Sequence, residues 1–224
     1  MCGIFGSSNF SVFEQLYAAN CSRGSFAGGC LYTSDSSSVV LKWPGIRPDH
    51  SQELIHSSYT YFNGHTQAPT GSQRQYDNLT THPFSYKHWI VAHNGVLENH
   101  EELTTTHELE LDAVDSAVIP KLLDVCDRKN RYTGTVVSEI QCIVDVAEML
   151  QGTFACWLHN SQSKNTYIIR SGSTLFGDVS TGVYSSMRVD DIATQLLDEG
   201  VVYSVTNTGL NQVNTFNHNS PFFI

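Results

Sequence analysis

Two amphipathic helix patterns that follow one another in the middle of the chain constrain the fold most. Residues 115–125 and 138–150 both carry apolar side chains at helical spacing. Runs typical of strands lie on both sides of this pair, at 2–6, 29–32, 38–43, 58–64 and 89–93 before it and at 153–158, 166–170, 182–186 and 200–205 after it. Because the helices are adjacent and do not alternate with strands, the order favours two sheets packed with helices over a doubly wound parallel sheet. We therefore expect an α+β fold.

The remaining segments give weaker signals. Shorter helix patterns occur at 10–19, where Ser11 is the expected N-cap, and at 51–57, 99–103 and 189–197. The polar stretch 66–86 is predicted to be a long irregular loop, and the asparagine-rich residues 206–224 a loosely packed tail. No repeat or linker interrupts the pattern, so we expect a single domain over residues 1–224.

Charge and composition exclude several classes of protein. The formal net charge is −10, from 12 basic and 22 acidic residues, which argues against a broad nucleic-acid-binding surface. No run approaches the ~20 apolar residues of a membrane helix. The N-terminus lacks the basic and then apolar pattern of a signal peptide. We therefore expect a cytoplasmic protein with neither a membrane nor a nucleic acid as partner.

Cysteine and histidine patterns give no sign of a metal site. The chain has 6 cysteines, none of them in a C-x-x-C pair, and 10 histidines, none at a recognisable metal-ligand spacing. We therefore expect neither a metal nor a cofactor.

The N-terminal sequence MCGIFG, residues 1–6, carries a cysteine directly after the initiator methionine. If Met1 is removed, Cys2 holds a thiol and a free α-amine on one residue. The thiolate is the nucleophilic form of cysteine, and an α-amine with an unperturbed pKa of about 8 is a suitable base near neutral pH. The pair is a known way to activate a weak nucleophile. By themselves these six residues favour an ordinary hydrophobic strand at the start of the chain over a catalytic residue.

Four further stretches follow this one in a recognisable order. They are SRG at 22–24, GHTQAPTG at 64–71, HNGVLEN at 93–99 and VDS at 114–116. With MCGIFG, the chain resembles the class II glutamine amidotransferases, which are N-terminal-nucleophile hydrolases. The likeness to the glutaminase domain of glucosamine-6-phosphate synthase is strong around residues 93–101. The resemblance covers most of the chain.

The resemblance implies a fold and a reaction. The fold would be a four-layer αββα sandwich of two mainly antiparallel sheets. Cys2 would attack the side-chain amide of L-glutamine to give a thioester and ammonia. The side-chain amide of Asn94 and the backbone N–H of Gly95 would stabilise the oxyanion. Asp115 would bind the substrate α-ammonium, and Arg23, close to the nucleophile, would contribute to substrate binding.

Gln67 departs from the family pattern. The family usually has an arginine here that binds the α-carboxylate of glutamine, and a glutamine side chain lacks its charge and its bidentate geometry. Weaker glutamine binding, replacement by a neighbour such as Arg74, and a different substrate all remain open. Thr70 matches the family pattern and is expected to contact the carboxylate.

Several functions remain open at this stage. The first is a glutaminase that passes ammonia to a separate synthetase or transferase subunit, since we expect no acceptor domain within residues 1–224. The second is an amidohydrolase of the same fold that acts on a γ-glutamyl or other amide. The third is a non-catalytic binding module.

Overall fold

The computed structural model describes residues 2–48, 58–68, 76–133 and 138–218. The helix predicted at 51–57 and the site residue Thr70 lie outside these ranges, as does Arg74. Within them, α1 to α4 span Phe10–Asn20, His100–Thr106, Val118–Thr133 and Glu139–Met149, and a 3₁₀ helix at Asp115–Ala117 leads into α3. The strands β1 to β13 span Gly3–Ser7, Ala27–Thr33, Ser38–Trp43, Tyr61–Gln67, Phe84–Tyr86, Trp89–Leu97, Gly152–Asn160, Thr166–Ser171, Phe176–Asp178, Val183–Ser185, Gln195–Leu196, Val201–Thr206 and Gly209–Thr215.

These strands form two sheets. The first has the order β11-β9-β10-β1-β4-β2-β3 and the second the order β13-β12-β8-β7-β6-β5. All of these neighbouring strands pair antiparallel. The N-terminal strand β1 lies inside the first sheet, between β10 and β4, so the sheet fixes its position from both sides.

Apolar side chains fill the space between the two sheets and the space between each sheet and its helices. Helix α1 covers the outer face of the first sheet, and α3 and α4 cover the outer face of the second. Strand β7 shows why the second sheet is buried on both faces: Phe154 and Leu158 face the helices, whereas Ala155 and Trp157 face the other sheet. The predicted αββα order of layers is confirmed.

Two short segments depart from the sequence prediction, at the start of α1 and at residues 189–197. The N-cap of α1 is Asn9, whose side chain accepts from the backbone N–H groups of Ser11 and Val12 at 2.9 and 3.2 Å, so the prediction of Ser11 was wrong. Residues 189–197 form no helix. They contain a bridge between Val189 and Ala193 and then β11.

The asparagine-rich segment also differs from its prediction. Residues 209–215 are not loose but form β13, which pairs along β12, and Leu210 and Phe216 are buried. The polar alternation of this edge strand concealed it in the sequence. Within the described residues, no helix combines the length and the apolar character needed to cross a bilayer.

Candidate functional site

Cys2 lies immediately before β1 and is half-buried at one end of the sandwich. It lines a cavity of about 360 Å³, which we call the Cys2 cavity, together with Asn94 and Gly95 of β6. Arg23 lines the same cavity. Strand β1 belongs to the first sheet and β6 to the second, so the cavity lies where the two sheets meet.

Gly95 occupies a backbone position that favours glycine. Its φ is 148°, in the region that residues with a Cβ rarely adopt. A Cβ there would overlap the carbonyl oxygen of Thr153 and would lie 2.8 Å from Nε2 of His93. The absence of a side chain lets β6 approach β7 closely while its backbone borders the cavity.

Asn94 is held by a buried hydrogen bond. Asn94 is only 3% exposed, and its Nδ2 donates to Oγ of Ser186 at 3.1 Å. A carboxamide nitrogen carries two hydrogens, so this bond fixes the orientation of the group and uses only one of them.

Ser186 connects the two sheets at this point, and no motif in the sequence indicates this role. Its Oγ also accepts from the backbone N–H of Ile4 at 3.0 Å, and its own N–H donates to the carbonyl of Ile4 at 2.8 Å. The residue lies just beyond β10, where the sequence pattern predicted only a strand end. Ser186 thus fixes β1 and Asn94 relative to one another.

Arg23 holds the backbone of the cysteine. Its Nε donates to the carbonyl oxygen of Cys2 at 2.7 Å, and its Nη1 donates to Oγ1 of Thr174 at 3.2 Å and to the carbonyl of Ser186 at 3.3 Å. Burial lowers the pKa of Arg23, and the electrostatic interaction with Cys2 opposes that change. Thr174, which the sequence analysis also missed, lines the cavity.

Asp115 lies at the start of the 3₁₀ helix and is tied to the end of β6. Its Oδ2 accepts from the backbone N–H of Leu97 at 2.9 Å, and its Oδ1 accepts from the backbone N–H of Ser116 at 2.8 Å. Oγ of Ser116 is 2.8 Å from Nδ1 of His93, a buried residue directly before Asn94. Burial lowers the pKa of His93, and Asp115 opposes the shift. Asp115 does not belong to the described lining of the Cys2 cavity, but this polar network links it to the strand segment that carries Asn94 and Gly95.

Gln67 is turned into the protein. It is fully buried at the end of β4, where Nε2 donates to the carbonyl of Thr80 at 3.0 Å and Oε1 accepts from the backbone N–H of His82 at 3.4 Å. Gln67 does not belong to the described lining of the Cys2 cavity. Cys2, Asn94, Gly95 and Arg23 are thus brought together, whereas Gln67 contacts a neighbouring loop.

The described residues contain no group of three or more His, Cys, Asp or Glu side chains arranged to hold a metal ion. The polar groups of the Cys2 cavity are a thiol, a carboxamide, a guanidinium, hydroxyls and backbone amides. This set suits nucleophilic attack on a carbonyl carbon and stabilisation of the resulting oxyanion.

No family model matches the chain, but individual proteins resemble it in sequence and in structure. Among curated proteins, glutamine–fructose-6-phosphate aminotransferase (isomerizing) of Staphylococcus epidermidis is 26% identical over 192 residues, which cover 81% of this chain and 31% of the relative. The enzyme of the same name from Staphylococcus aureus is 24% identical over the same length. The chain thus spans about a third of the length of these curated relatives.

Solved structures extend the likeness to nearly the whole chain. Glutamine phosphoribosylpyrophosphate amidotransferase from Bacillus subtilis matches 98% of this chain and 50% of its own with a TM-score of 0.74 and 18% identity. A glutamine aminotransferase class-II domain protein from Silicibacter pomeroyi matches 97% of this chain and 100% of its own with a TM-score of 0.53 and 12% identity. These likenesses confirm the N-terminal-nucleophile fold and the resemblance of this chain to the class II glutamine amidotransferases.

Proposed function

We propose that this chain hydrolyses the side-chain amide of L-glutamine to glutamate and ammonia through a thioester on Cys2. The observation that carries the proposal is that Cys2, Asn94 and Gly95, which come from two different sheets, line one cavity of about 360 Å³. The relatives that are similar in sequence are named for glutamine, which favours it as the substrate over another amide.

The nucleophile depends on removal of Met1. The α-amine of Cys2, with an ordinary pKa of about 8, then takes the thiol proton. The thiolate attacks the amide carbon, and the same amine returns the proton to the departing nitrogen, which leaves as ammonia. Water hydrolyses the thioester to release glutamate.

Asn94 and Gly95 stabilise the oxyanion in this proposal. The second hydrogen of the Asn94 carboxamide and the backbone N–H of Gly95 are the two donors. The bond to Ser186 holds the carboxamide before substrate arrives, so little reorganisation is needed. One such donor is worth about 3 kcal/mol in the transition state.

Substrate binding is divided among several residues. Asp115 binds the α-ammonium: its carboxylate already accepts from Leu97 and Ser116, but it has about four acceptor sites and retains capacity for a further donor. Arg23 supplies positive charge at the cavity wall, and Thr70 contacts the α-carboxylate. Gln67 contributes to substrate binding only indirectly, because its side chain hydrogen-bonds to the backbone of residues 80–82.

Ammonia is then passed to a separate synthetase or transferase subunit. The names of the relatives include fructose 6-phosphate and phosphoribosylpyrophosphate, so sugar phosphates are the first acceptors to test. The measurement is glutamine turnover with and without a candidate partner and its acceptor, and an ammonia-transferring pair shows glutamine consumption that matches formation of the aminated product.

Labelling with 6-diazo-5-oxo-L-norleucine, a reactive glutamine mimic, tests the proposal. We expect a covalent mass gain on the peptide that begins at Cys2, with parallel loss of glutaminase activity and protection by L-glutamine. Cys21→Ala, which removes another half-buried thiol, is the matched control and should label normally. Labelling on another cysteine, or a mature protein that retains Met1 and is still active, would overturn the mechanism.

A further inference from the structure

Two thiols meet between helices α3 and α4, away from the Cys2 cavity. Cys126 lies on α3 and Cys142 on α4, where the two helices pack together on the outer face of the second sheet. The group that each thiol contacts lies beside the other thiol on its helix: Asp127 directly follows Cys126, and Asp145 lies three residues after Cys142. Neither residue lines the Cys2 cavity, so the proposed glutamine chemistry makes no use of them.

Each thiol also contacts a carboxylate from the opposite helix. Sγ of Cys126 is 3.7 Å from Oδ2 of Asp145 on α4, and Sγ of Cys142 is 3.6 Å from Oδ1 of Asp127 on α3. A second bond holds each carboxylate: Gln141 Nε2 donates to Asp145 at 2.8 Å, and His88 Nε2 lies 2.6 Å from Asp127. Each thiol therefore has a fixed proton acceptor beside it.

The two thiols differ in access. Cys142 is fully buried, whereas Cys126 is half-buried. The hydrogen bond from Cys142 lowers the pKa of Cys126, although burial and the neighbouring carboxylates oppose the change. The hydrogen bond with Cys126, together with burial, raises the pKa of Cys142. Cys126 is thus the sulfur that a small oxidant reaches, and Cys142 is the partner behind it.

We propose that Cys126 and Cys142 form a modification site, a dithiol that a hydroperoxide oxidises to an intramolecular disulfide between α3 and α4. This inference does not depend on glutamine hydrolysis. Around this pair, as elsewhere in the described residues, no three or more His, Cys, Asp or Glu side chains are arranged to hold a metal ion.

The reaction balances with hydrogen peroxide as the oxidant. Cys126 gives its proton to Asp145, and its thiolate attacks one peroxide oxygen, so the O–O bond breaks; the departing hydroxide takes the proton back from Asp145 and leaves as water, with a sulfenic acid on Cys126. Cys142 gives its proton to Asp127, and its thiolate attacks the sulfenic sulfur, so the S–S bond forms and the S–O bond breaks; this second hydroxide takes the proton from Asp127 and leaves as water. Two thiols are oxidised by two electrons, and one peroxide is reduced to two waters.

The bond would close the chain between residues 126 and 142. Because a cross-link restricts the unfolded chain, the oxidised protein should resist denaturation better than the reduced protein. Dithiothreitol should reverse the effect.

Peptide mass spectrometry of the whole chain tests the proposal. The protein is treated with hydrogen peroxide, denatured, alkylated with N-ethylmaleimide and digested. We expect a peptide pair joined through Cys126 and Cys142, lighter by two hydrogens than the separate peptides, and a higher urea midpoint that dithiothreitol abolishes. Fully alkylated Cys126 and Cys142 in protein whose Cys2 or Cys21 is oxidised would overturn the proposal.

Single variants assign the two roles. Cys142→Ser should accumulate a sulfenic acid on Cys126 that dimedone traps, whereas Cys126→Ser should leave Cys142 reduced. The opposite result would overturn the assignment of roles, and oxidation of Cys126 to a disulfide with any other cysteine in the wild-type protein would overturn the pair. All readouts are masses of specific peptides, so a chain that failed to hydrolyse glutamine would not affect the result.

Discussion

Two cavities at opposite ends of the same strands differ in how their walls are built. The Cys2 cavity lies at the start of β1. A second cavity, of about 290 Å³, lies at the other end of β1, where the start of β4 pairs with it. We call the second one the hairpin cavity, because turn residues such as Ser34, Lys164 and Asn207 line it. Within the described residues, the hydroxyl of Ser34 hydrogen-bonds only to Ser37, which belongs to the same turn.

The polar groups of the Cys2 cavity are held across the sandwich. Ser186 bonds to residues far away in sequence on both sheets, and Gly95 lies in a backbone conformation that few other residues adopt. Preorganised donors in a site that excludes water stabilise developing charge far better than donors that water solvates. We therefore predict that the Cys2 cavity catalyses and the hairpin cavity does not, because the first combines a thiol with a carboxamide that a buried hydrogen bond holds.

The largest effect should come from the nucleophile. Cys2→Ala should lower glutaminase kcat by at least about 10³-fold, because no other group in the proposal forms the thioester. Lys164→Ala, in the hairpin cavity, should leave kcat unchanged. Release of ammonia from L-glutamine measures both. A strong loss in Lys164→Ala with normal activity in Cys2→Ala would reverse the ranking of the two cavities.

Asn94→Ala should have the next largest effect on activity. Removal of one oxyanion donor should lower kcat about 10²-fold while KM changes little, since the donor acts mainly in the transition state. Asn207→Ala provides the matched change in the hairpin cavity and should be neutral. A rise in KM alone for Asn94→Ala would show that the carboxamide binds substrate rather than the oxyanion.

A buried histidine lies close to each cavity, His93 to the Cys2 cavity and His159 to the hairpin cavity. The pH dependence of stability tests the second. Nδ1 of His159 is 3.0 Å from Oγ1 of Thr166, which lines the hairpin cavity. Burial, with help from Lys164, lowers the pKa of His159 to about 4. Between about pH 6.5 and 4, the unfolded chain therefore binds a proton that the folded chain does not, so stability falls as pH falls through this range.

His159→Gln should remove this contribution. Relative to its own stability at pH 7.5, the variant should lose about 3 kcal/mol less than the wild type on transfer to pH 4.5, as measured by urea unfolding. Its glutaminase activity at pH 7.5 should be unchanged, whereas His93→Gln should lower activity through Asn94 and Gly95. Identical pH slopes for wild type and His159→Gln would contradict the assignment.

Sequence reasoning succeeded where a motif or a long apolar pattern carries the information, and failed where a single side chain or a tight turn decides the structure. The motifs around Cys2 and Asn94 predicted a shared site, and both residues line one cavity, although their roles remain predictions. Ser186 could not be found, because an isolated serine at a strand end gives no signal of partners on two strands. The apolar spacing of 189–197 is helical, but Asp191 has a φ of 61° and the chain instead turns back so that Ala193 and Leu197 are buried.

Replacement of Ser186 should have the smallest effect on kcat. It tests most directly whether buried hydrogen bonds to the cavity residues are needed for activity. Ser186→Ala leaves the buried N–H of Ile4 and one hydrogen of the Asn94 carboxamide without their acceptor. We expect kcat to fall about 5- to 10-fold, which corresponds to about 1 kcal/mol for one hydrogen bond, and stability to fall by about 1–3 kcal/mol. Ser34→Ala, in the hairpin cavity, should change neither.

A double variant distinguishes a positioning role from a general loss of structure. If Ser186 acts on catalysis by orienting Asn94, the combination of Asn94→Ala with Ser186→Ala should have the kcat of Asn94→Ala alone, because nothing remains to be oriented. The loss of stability from the Ile4 bond should persist in the double variant, so urea unfolding separates it from the kinetic effect. Losses in kcat that multiply would show that Ser186 acts on β1 and Cys2, and the support behind the cavity would then belong to the nucleophile rather than to the oxyanion donor.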